Sequence, residues 1–116
     1  MAKSRLILKE DARIGIVNRG EAAFRFIRAV RDFNRLYGTR LETVAFHIDR
    51  EKDALFVQEA DSAYPVSGFS QFSAGSGSPY LNRPLMLEAL TGTGCSALWA
   101  GWGFLSEDAD FIAMTE

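Results

Sequence analysis

The chain has 116 residues, 47% of them hydrophobic and 24% charged, which is typical of one globular domain. Its formal net charge of -2 argues against nucleic acid or an anionic membrane as a partner, and no run of about 20 apolar residues could span a bilayer. The single cysteine, Cys95, excludes an internal disulfide, so we expect a buried thiol in a cytoplasmic protein.

The first third of the domain predicts a strand followed by a helix. We expect residues 1–11 to be a flexible lead-in and residues 12–116 to form the domain. Residues 13–17 are short, β-branched and apolar, which is typical of a parallel strand buried on both faces. Apolar residues then recur every three or four positions over 21–37, which predicts an amphipathic helix. Its core stripe contains Ala23, Phe26, Ile27, Val30, Phe33 and Tyr37, and its basic face contains Arg25, Arg28, Asp32 and Arg35.

The same alternation continues to the end of the chain. Residues 67–78 are rich in glycine and serine and predict a loop, mobile at its Gly/Ser end. The resulting β-α-β-α-β-α-β-α order predicts an α/β, Rossmann-like fold of about four parallel strands flanked by helices. The further strands are expected at 41–48, 62–66 (near a sheet edge, because of Pro65) and 96–100, and the helices at 54–59, 83–91 and 107–115.

Two polar or glycine-containing segments follow predicted strands. Residues 18–21 come after the first strand and residues 101–107 after the fourth. Ligands of parallel sheets bind at the carboxyl ends of strands, so we expect both segments to contribute to one site. The first segment has only Gly20 where a dinucleotide site needs three glycines, which excludes classical NAD binding. Its alternative interpretation is structural, with Asn18 as a helix N-cap and Glu21 completing a capping box.

Several blocks of the sequence resemble one family. Residues 14–28 are similar to the opening of the biotin carboxylases, and they read Ile-Gly-Ile-Val-Asn-Arg-Gly-Glu-Ala-Ala-Phe-Arg-Phe-Ile-Arg. Residues 49–63, the Tyr-Leu-Asn of 80–82, and the Gly-Trp-Gly-Phe-Leu-Ser-Glu of 101–107 resemble later blocks of that family in the same order, and Asp110 and Phe111 also fit. Because these blocks extend over most of the chain, the resemblance is specific.

The resemblance implies the pre-ATP-grasp fold of a biotin carboxylase N-terminal subdomain, which binds no cofactor itself. In the family, a downstream ATP-grasp domain of the same chain holds Mg-ATP, activates bicarbonate as carboxyphosphate and carboxylates N1 of biotin. The full-length protein would therefore use ATP, Mg and biotin, and would act with biotin carboxyl carrier and carboxyltransferase domains or subunits. The fragment alone is expected to be inactive and to contribute one wall of the active site.

The resemblance also implies roles for individual residues. Trp102 matches the family's tyrosine beside the biotin and bicarbonate pocket, and Gly103 would let the backbone come close. Glu107 ends this loop, where it lines the wall or simply caps helix amides. The segment Asn18, Arg19, Gly20 and Glu21 matches the family's strand-to-helix motif.

The basic face of the first helix has two interpretations. Arg25, Arg28 and Asp32 match residues of a dimer contact in bacterial members, which implies a possible homo-oligomer. Alternatively this face is solvated, with Glu21–Arg25 and Arg28–Asp32 ion pairs along it.

Some positions depart from the family pattern. Trp99-Ala100 stands where the family commonly has His-Pro, Trp102 lacks the phenol hydroxyl of the usual tyrosine, and Asp108 replaces asparagine. These departures predict a divergent branch. Two alternatives remain open: the pre-ATP-grasp domain of another ATP-dependent ligase, and a non-catalytic assembly module. We expect no metal site, because His47 is the only histidine and no cysteine cluster accompanies it.

Overall fold

A four-stranded parallel sheet forms the centre of the computed structural model, which describes residues 11–75 and 77–101. The strand order is β3-β2-β1-β4, so the first strand lies inside the sheet, as its apolar sequence predicts. In the register, Ile14 of β1 pairs with Thr43 on one side and with Ala97 on the other. The strands are β1 (Arg13–Ile16), β2 (Glu42–His47), β3 (Ser62–Pro65) and β4 (Ala97–Trp99).

Helices connect these strands in the predicted order, which confirms the α/β fold class. They are α1 (Gly20–Tyr37), α2 (Leu55–Glu59) and α3 (Arg83–Gly92). The helix predicted at 107–115 and most of the lead-in expected at 1–11 lie outside the described residues. Among the helices of the described part, none has both the length and the apolar character needed to cross a bilayer.

Side chains of the sheet alternate between two apolar cores, one on each face. Ile14 and Ile16 of β1 pack against α1 and α2, whereas Val17 and the strand residue Phe46 pack on the α3 side. Burial on both faces explains why β1 is almost continuously apolar. The α3-side core also contains Val44, Val66, Tyr80, Leu85, Met86, Ala89, Leu90 and Ala100, and the α1-side core also contains Ala12, Ala23, Ile27, Val30, Leu41, Ala45 and Phe56.

The core stripe predicted for α1 is buried only in its first half, so that part of the prediction was wrong. Phe33 and Tyr37 are 45% and 68% exposed, and their rings pack on each other with centroids 4.6 Å apart. The reason is length. An 18-residue helix is roughly 27 Å long, whereas strands of three to six residues span only about 10–20 Å. The last turns of α1 therefore extend beyond the sheet.

The Gly/Ser-rich loop predicted at 67–78 is anchored at its beginning. Phe69 and Phe72 pack against the α3-side core. The carboxylate of Glu88 in α3 accepts hydrogen bonds from the Ser70 amide at 3.0 Å, the Ser70 hydroxyl at 2.9 Å and the Gln71 amide at 2.9 Å. This carboxylate thus fixes the loop to the helix that precedes β4.

We expect this anchor to be lost in acid. Hydrogen bonds from Gln71 and then Ser70 lower the pKa of Glu88, so its contribution is complete above the unfolded-state pKa of roughly 4.3 and is lost as pH falls through the folded-state pKa. Hydrogen-exchange protection of the Ser70 and Gln71 amides should decrease over that range. In Glu88→Gln, protection should already be low at pH 7 and independent of pH. Full protection in that variant would contradict the assignment.

Candidate functional site

The strand order creates a switch point between β1 and β4. The chain moves from β1 to β2 to β3 in one direction, then crosses to place β4 on the other side of β1. Because α1 leaves β1 on one face and α3 enters β4 from the other, a crevice opens at the carboxyl ends of these two strands. Ligands of open α/β sheets bind in such crevices. We call residues 17–20 and 99–101 the switch-point edge.

A buried asparagine joins the two halves of the switch-point edge. The last backbone bond between them runs from Val17 N–H to the Trp99 carbonyl at 2.8 Å. One residue further on, Asn18 Nδ2 donates to the Ala100 carbonyl at 3.0 Å, while Asn18 Oδ1 accepts the Arg19 amide at 2.8 Å. Asn18 is only 5% exposed. The two segments that the sequence places after strands one and four are therefore in direct contact.

This contact replaces the capping box that the sequence allowed at the start of α1. The helix begins at Gly20 with Arg19 in the N-cap position, and no side chain caps it. A capping box needs the acidic residue three positions after the cap, and Glu21 is only two positions after Arg19. The Glu21 carboxylate instead accepts a hydrogen bond from Arg25 at 3.0 Å. The amide of Asn18 is thus committed to β4, not to the helix.

Gly101 is required by both conformation and space. Its φ is +72°, which favours glycine, and a Cβ there would lie 2.6 Å from Asn18 Nδ2 and 3.1 Å from the Trp99 ring. The Trp99 ring in turn stacks on Phe26 of α1, with centroids 4.4 Å apart and planes 6° from parallel. Trp99, a departure from the family pattern, therefore fills the space between α1 and the chain that leaves β4.

Arg19 is engaged by an acidic residue beyond β2. Its Nε lies 3.1 and 3.0 Å from the two carboxylate oxygens of Glu51, and its Nη2 bonds the second of them. The hydrogen bond from Arg19 lowers the pKa of Glu51 and raises that of Arg19, so the pair is ionised at neutral pH. This bidentate geometry aims the guanidinium along the edge toward β2.

Two buried polar residues complete the β2 end of the edge. The Tyr80 hydroxyl donates to the Phe46 carbonyl at 2.6 Å, and burial raises the pKa of Tyr80 far above its usual value. His47 ends β2, as expected, with Nδ1 2.9 Å from the Ile48 carbonyl. A carbonyl can only accept, so Nδ1 bears a proton. Both groups therefore serve as neighbours that hold the edge rather than as exposed reactive groups.

No metal site is present in the described ranges 11–75 and 77–101, where no three His, Cys, Asp or Glu side chains lie together in a suitable arrangement. Cys95 is half-buried and packs against the α3-side core. Burial raises the pKa of its thiol, which reduces its nucleophilic thiolate form at neutral pH.

The basic face of α1 is arranged partly as predicted. Arg25 pairs with Glu21 at 2.8 Å, but the predicted Arg28–Asp32 pair is wrong. Asp32 instead pairs with Arg35 at 3.0 Å, and the Arg28 guanidinium lies 5.5 Å from the centroid of the Phe24 ring. A planar cation over an aromatic face is a favourable alternative to an exposed ion pair.

Three predicted site residues, Trp102, Gly103 and Glu107, lie outside the described residues. The structure also reveals two contributors that the sequence did not indicate. Glu51 belongs to a polar run whose only signal was a turn, and Phe26 was assigned to the core stripe without a partner. The family-like block that contains Glu51 was the one available hint.

The chain is similar to biotin carboxylases over nearly its whole length. The model of the family "Biotin carboxylase, N-terminal domain" matches residues 10–116. Biotin carboxylase 1 of Bacillus subtilis is 40% identical over 101 residues, which are 87% of this chain and 20% of that protein. The biotin-dependent acyl-coenzyme A carboxylase alpha3 subunit of Mycobacterium leprae is 37% identical over 86% of this chain and 15% of that protein.

A solved structure supports the same relationship. The biotin carboxylase of Campylobacter jejuni superposes with a TM-score of 0.71 at 29% identity, over 88% of this chain and 20% of that one. The chain therefore spans about a fifth or less of the length of these relatives. On the family match, the conserved fold and the two joined segments, this chain belongs to the biotin carboxylase N-terminal domain family.

Proposed function

We propose that this chain forms the N-terminal wall of a biotin carboxylase active site, within a protein that uses ATP and bicarbonate to carboxylate N1 of biotin. The observation that carries the proposal is the Asn18–Ala100 hydrogen bond, which joins the two family-like segments at the switch point of the sheet. Trp102 would present a flat aromatic surface to biotin, Gly103 would allow close approach of the backbone, and Glu107 would end the loop.

The described residues do not fit Mg-ATP. They contain neither a glycine-rich phosphate loop between a strand and a helix nor a carboxylate cluster for magnesium. We therefore assign ATP and Mg to an ATP-grasp domain downstream in the same chain, with carrier and carboxyltransferase domains or subunits as further partners. The dimer contact through Arg25, Arg28 and Asp32 stays a prediction, as does the cytoplasmic location.

A chimaera tests this proposal. The matching 101 residues of the Bacillus subtilis relative would be replaced by this chain, and ADP release would be measured with and without biotin and bicarbonate. We expect activity that depends on both and lies within about a hundredfold of the parent enzyme, since small misplacements in an active site cost up to about that factor. The parent protein lacking its first 101 residues is the control and should be inactive.

The alternatives predict other outcomes. A domain from another ATP-dependent ligase should give a chimaera without biotin dependence, and an assembly module should give one without ADP release. In a companion calorimetric titration, the isolated chain should show no heat of binding with Mg-ATP. A micromolar signal would contradict the assignment of the nucleotide site to another domain.

A further inference from the structure

We infer that Asn18 is a positioning residue for the proposed reaction: its side-chain amide sets the direction in which the chain leaves β4 and so places the residues that follow Gly101. This inference rests on the proposed function. It deepens it by assigning to the first family-like segment a task in the second, which would otherwise be linked to it only by proximity.

The hydrogen-bond pattern explains how one side chain does this. Backbone pairing between β1 and β4 reaches Val17 N–H and the Trp99 carbonyl and cannot continue, because the main chain turns at Arg19 to enter α1. The next carbonyl, that of Ala100, receives its donor from Asn18 Nδ2. The asparagine thus extends the strand pairing by one residue beyond the point where the backbone departs.

Only an amide of this length satisfies both ends of the contact. The Oδ1 must accept from the Arg19 amide while Nδ2 donates to Ala100. Aspartate would have no donor for the carbonyl, and serine would be too short to reach it. The absence of a Cβ at Gly101 lets Nδ2 come close, so these residues fix each other's positions. Displacement of a reacting group's support by about 1 Å can cost roughly 100-fold in rate.

Asn34 offers a matched control with the same chemistry at the opposite edge of the sheet. Its Nδ2 donates to the Leu41 carbonyl at 2.9 Å, and its Oδ1 accepts the Leu41 amide at 2.9 Å, just before β2 begins. Asn34→Asp therefore removes an equivalent donor and adds an equivalent charge. It does so at the amino end of the strands, away from the switch-point edge.

The test uses the biotin carboxylase that carries this chain, with Asn18→Asp and Asn34→Asp compared for biotin-dependent ADP release. We expect Asn18→Asp to lower kcat/KM for biotin by about 10- to 100-fold while the KM for ATP changes less than about twofold. Asn34→Asp should change both by less than about twofold. If Asn18→Asp does not fold, Asn18→Ser, which keeps an acceptor for Arg19 without adding charge, should give the same split.

Two failures are distinguishable. An unmodified protein without biotin-dependent activity would refute the proposed function itself. An active protein in which the Asn18 variants alter biotin and ATP parameters equally, or no more than Asn34→Asp does, would overturn the positioning role and leave Asn18 as a structural residue only.

Discussion

Replacing Gly101 by alanine should lower the free energy of unfolding by about 2–4 kcal/mol. Part of this loss, about 1–2 kcal/mol, comes from forcing a side chain into the left-handed region at φ +72°. The rest comes from the new Cβ, which would lie 2.6 Å from Asn18 Nδ2 and 3.1 Å from the Trp99 ring. Asn18 is buried and bonded at both ends, so it cannot move aside without losing a hydrogen bond.

Two other glycines separate these contributions. Gly38 and Gly94 have φ values of +69° and +74°, and a Cβ at either would meet nothing within 4 Å. Gly38→Ala and Gly94→Ala should therefore cost only the conformational part, about 1–2 kcal/mol each in urea denaturation. The excess for Gly101→Ala measures the crowding at the switch-point edge. Equal losses at all three positions would show that Asn18 yields easily and that the contact is loose.

Much of the fold was predictable because its signals are local and repeat along the chain. The apolar run that contains Ile14 and Ile16 indicates a doubly buried strand, and helical spacing indicates α1. Their alternation leads to a parallel sheet, whose geometry brings the carboxyl ends of strands to one edge. The meeting of residues 18–21 with residues 101–107 follows from this topology, and its described part, from Asn18 to Gly101, is confirmed by direct contact.

The remaining details depend on contacts that local patterns do not encode. Asn18 and Ala100 are 82 positions apart, and nothing near Asn18 distinguishes a partner in β4 from a helix cap. The exposure of Phe33 likewise depends on where the sheet ends, not on the helical spacing. Asp32 had two arginines within one turn, and exposed pairs differ too little in free energy for the sequence to choose between them.

Gly15 tests the opposite kind of glycine, one that is needed for space alone. Its φ is not positive, yet a Cβ would lie 2.2 Å from Leu90 Cδ2, 3.2 Å from Cys95 Sγ and 3.3 Å from the Phe46 ring. The α3-side core is therefore closed over β1 with no room for a methyl group. Gly15→Ala should lower the free energy of unfolding by about 1–3 kcal/mol, the usual cost of overpacking a core. Urea denaturation of the chain measures this directly.

The overlap with Leu90 makes this cost conditional. Leu90→Ala alone should destabilise by about 2–5 kcal/mol, because it leaves a cavity beside β1. In that background the Gly15→Ala methyl group enters the vacated space, so the double variant should be more stable than the sum of the single losses by about 1–3 kcal/mol. Gly92→Ala, where the nearest contact is an ordinary 3.8 Å to Phe69, should stay within about 1 kcal/mol. Additive losses at Gly15 and Leu90 would mean that strain in β1, not contact with α3, sets the requirement for glycine.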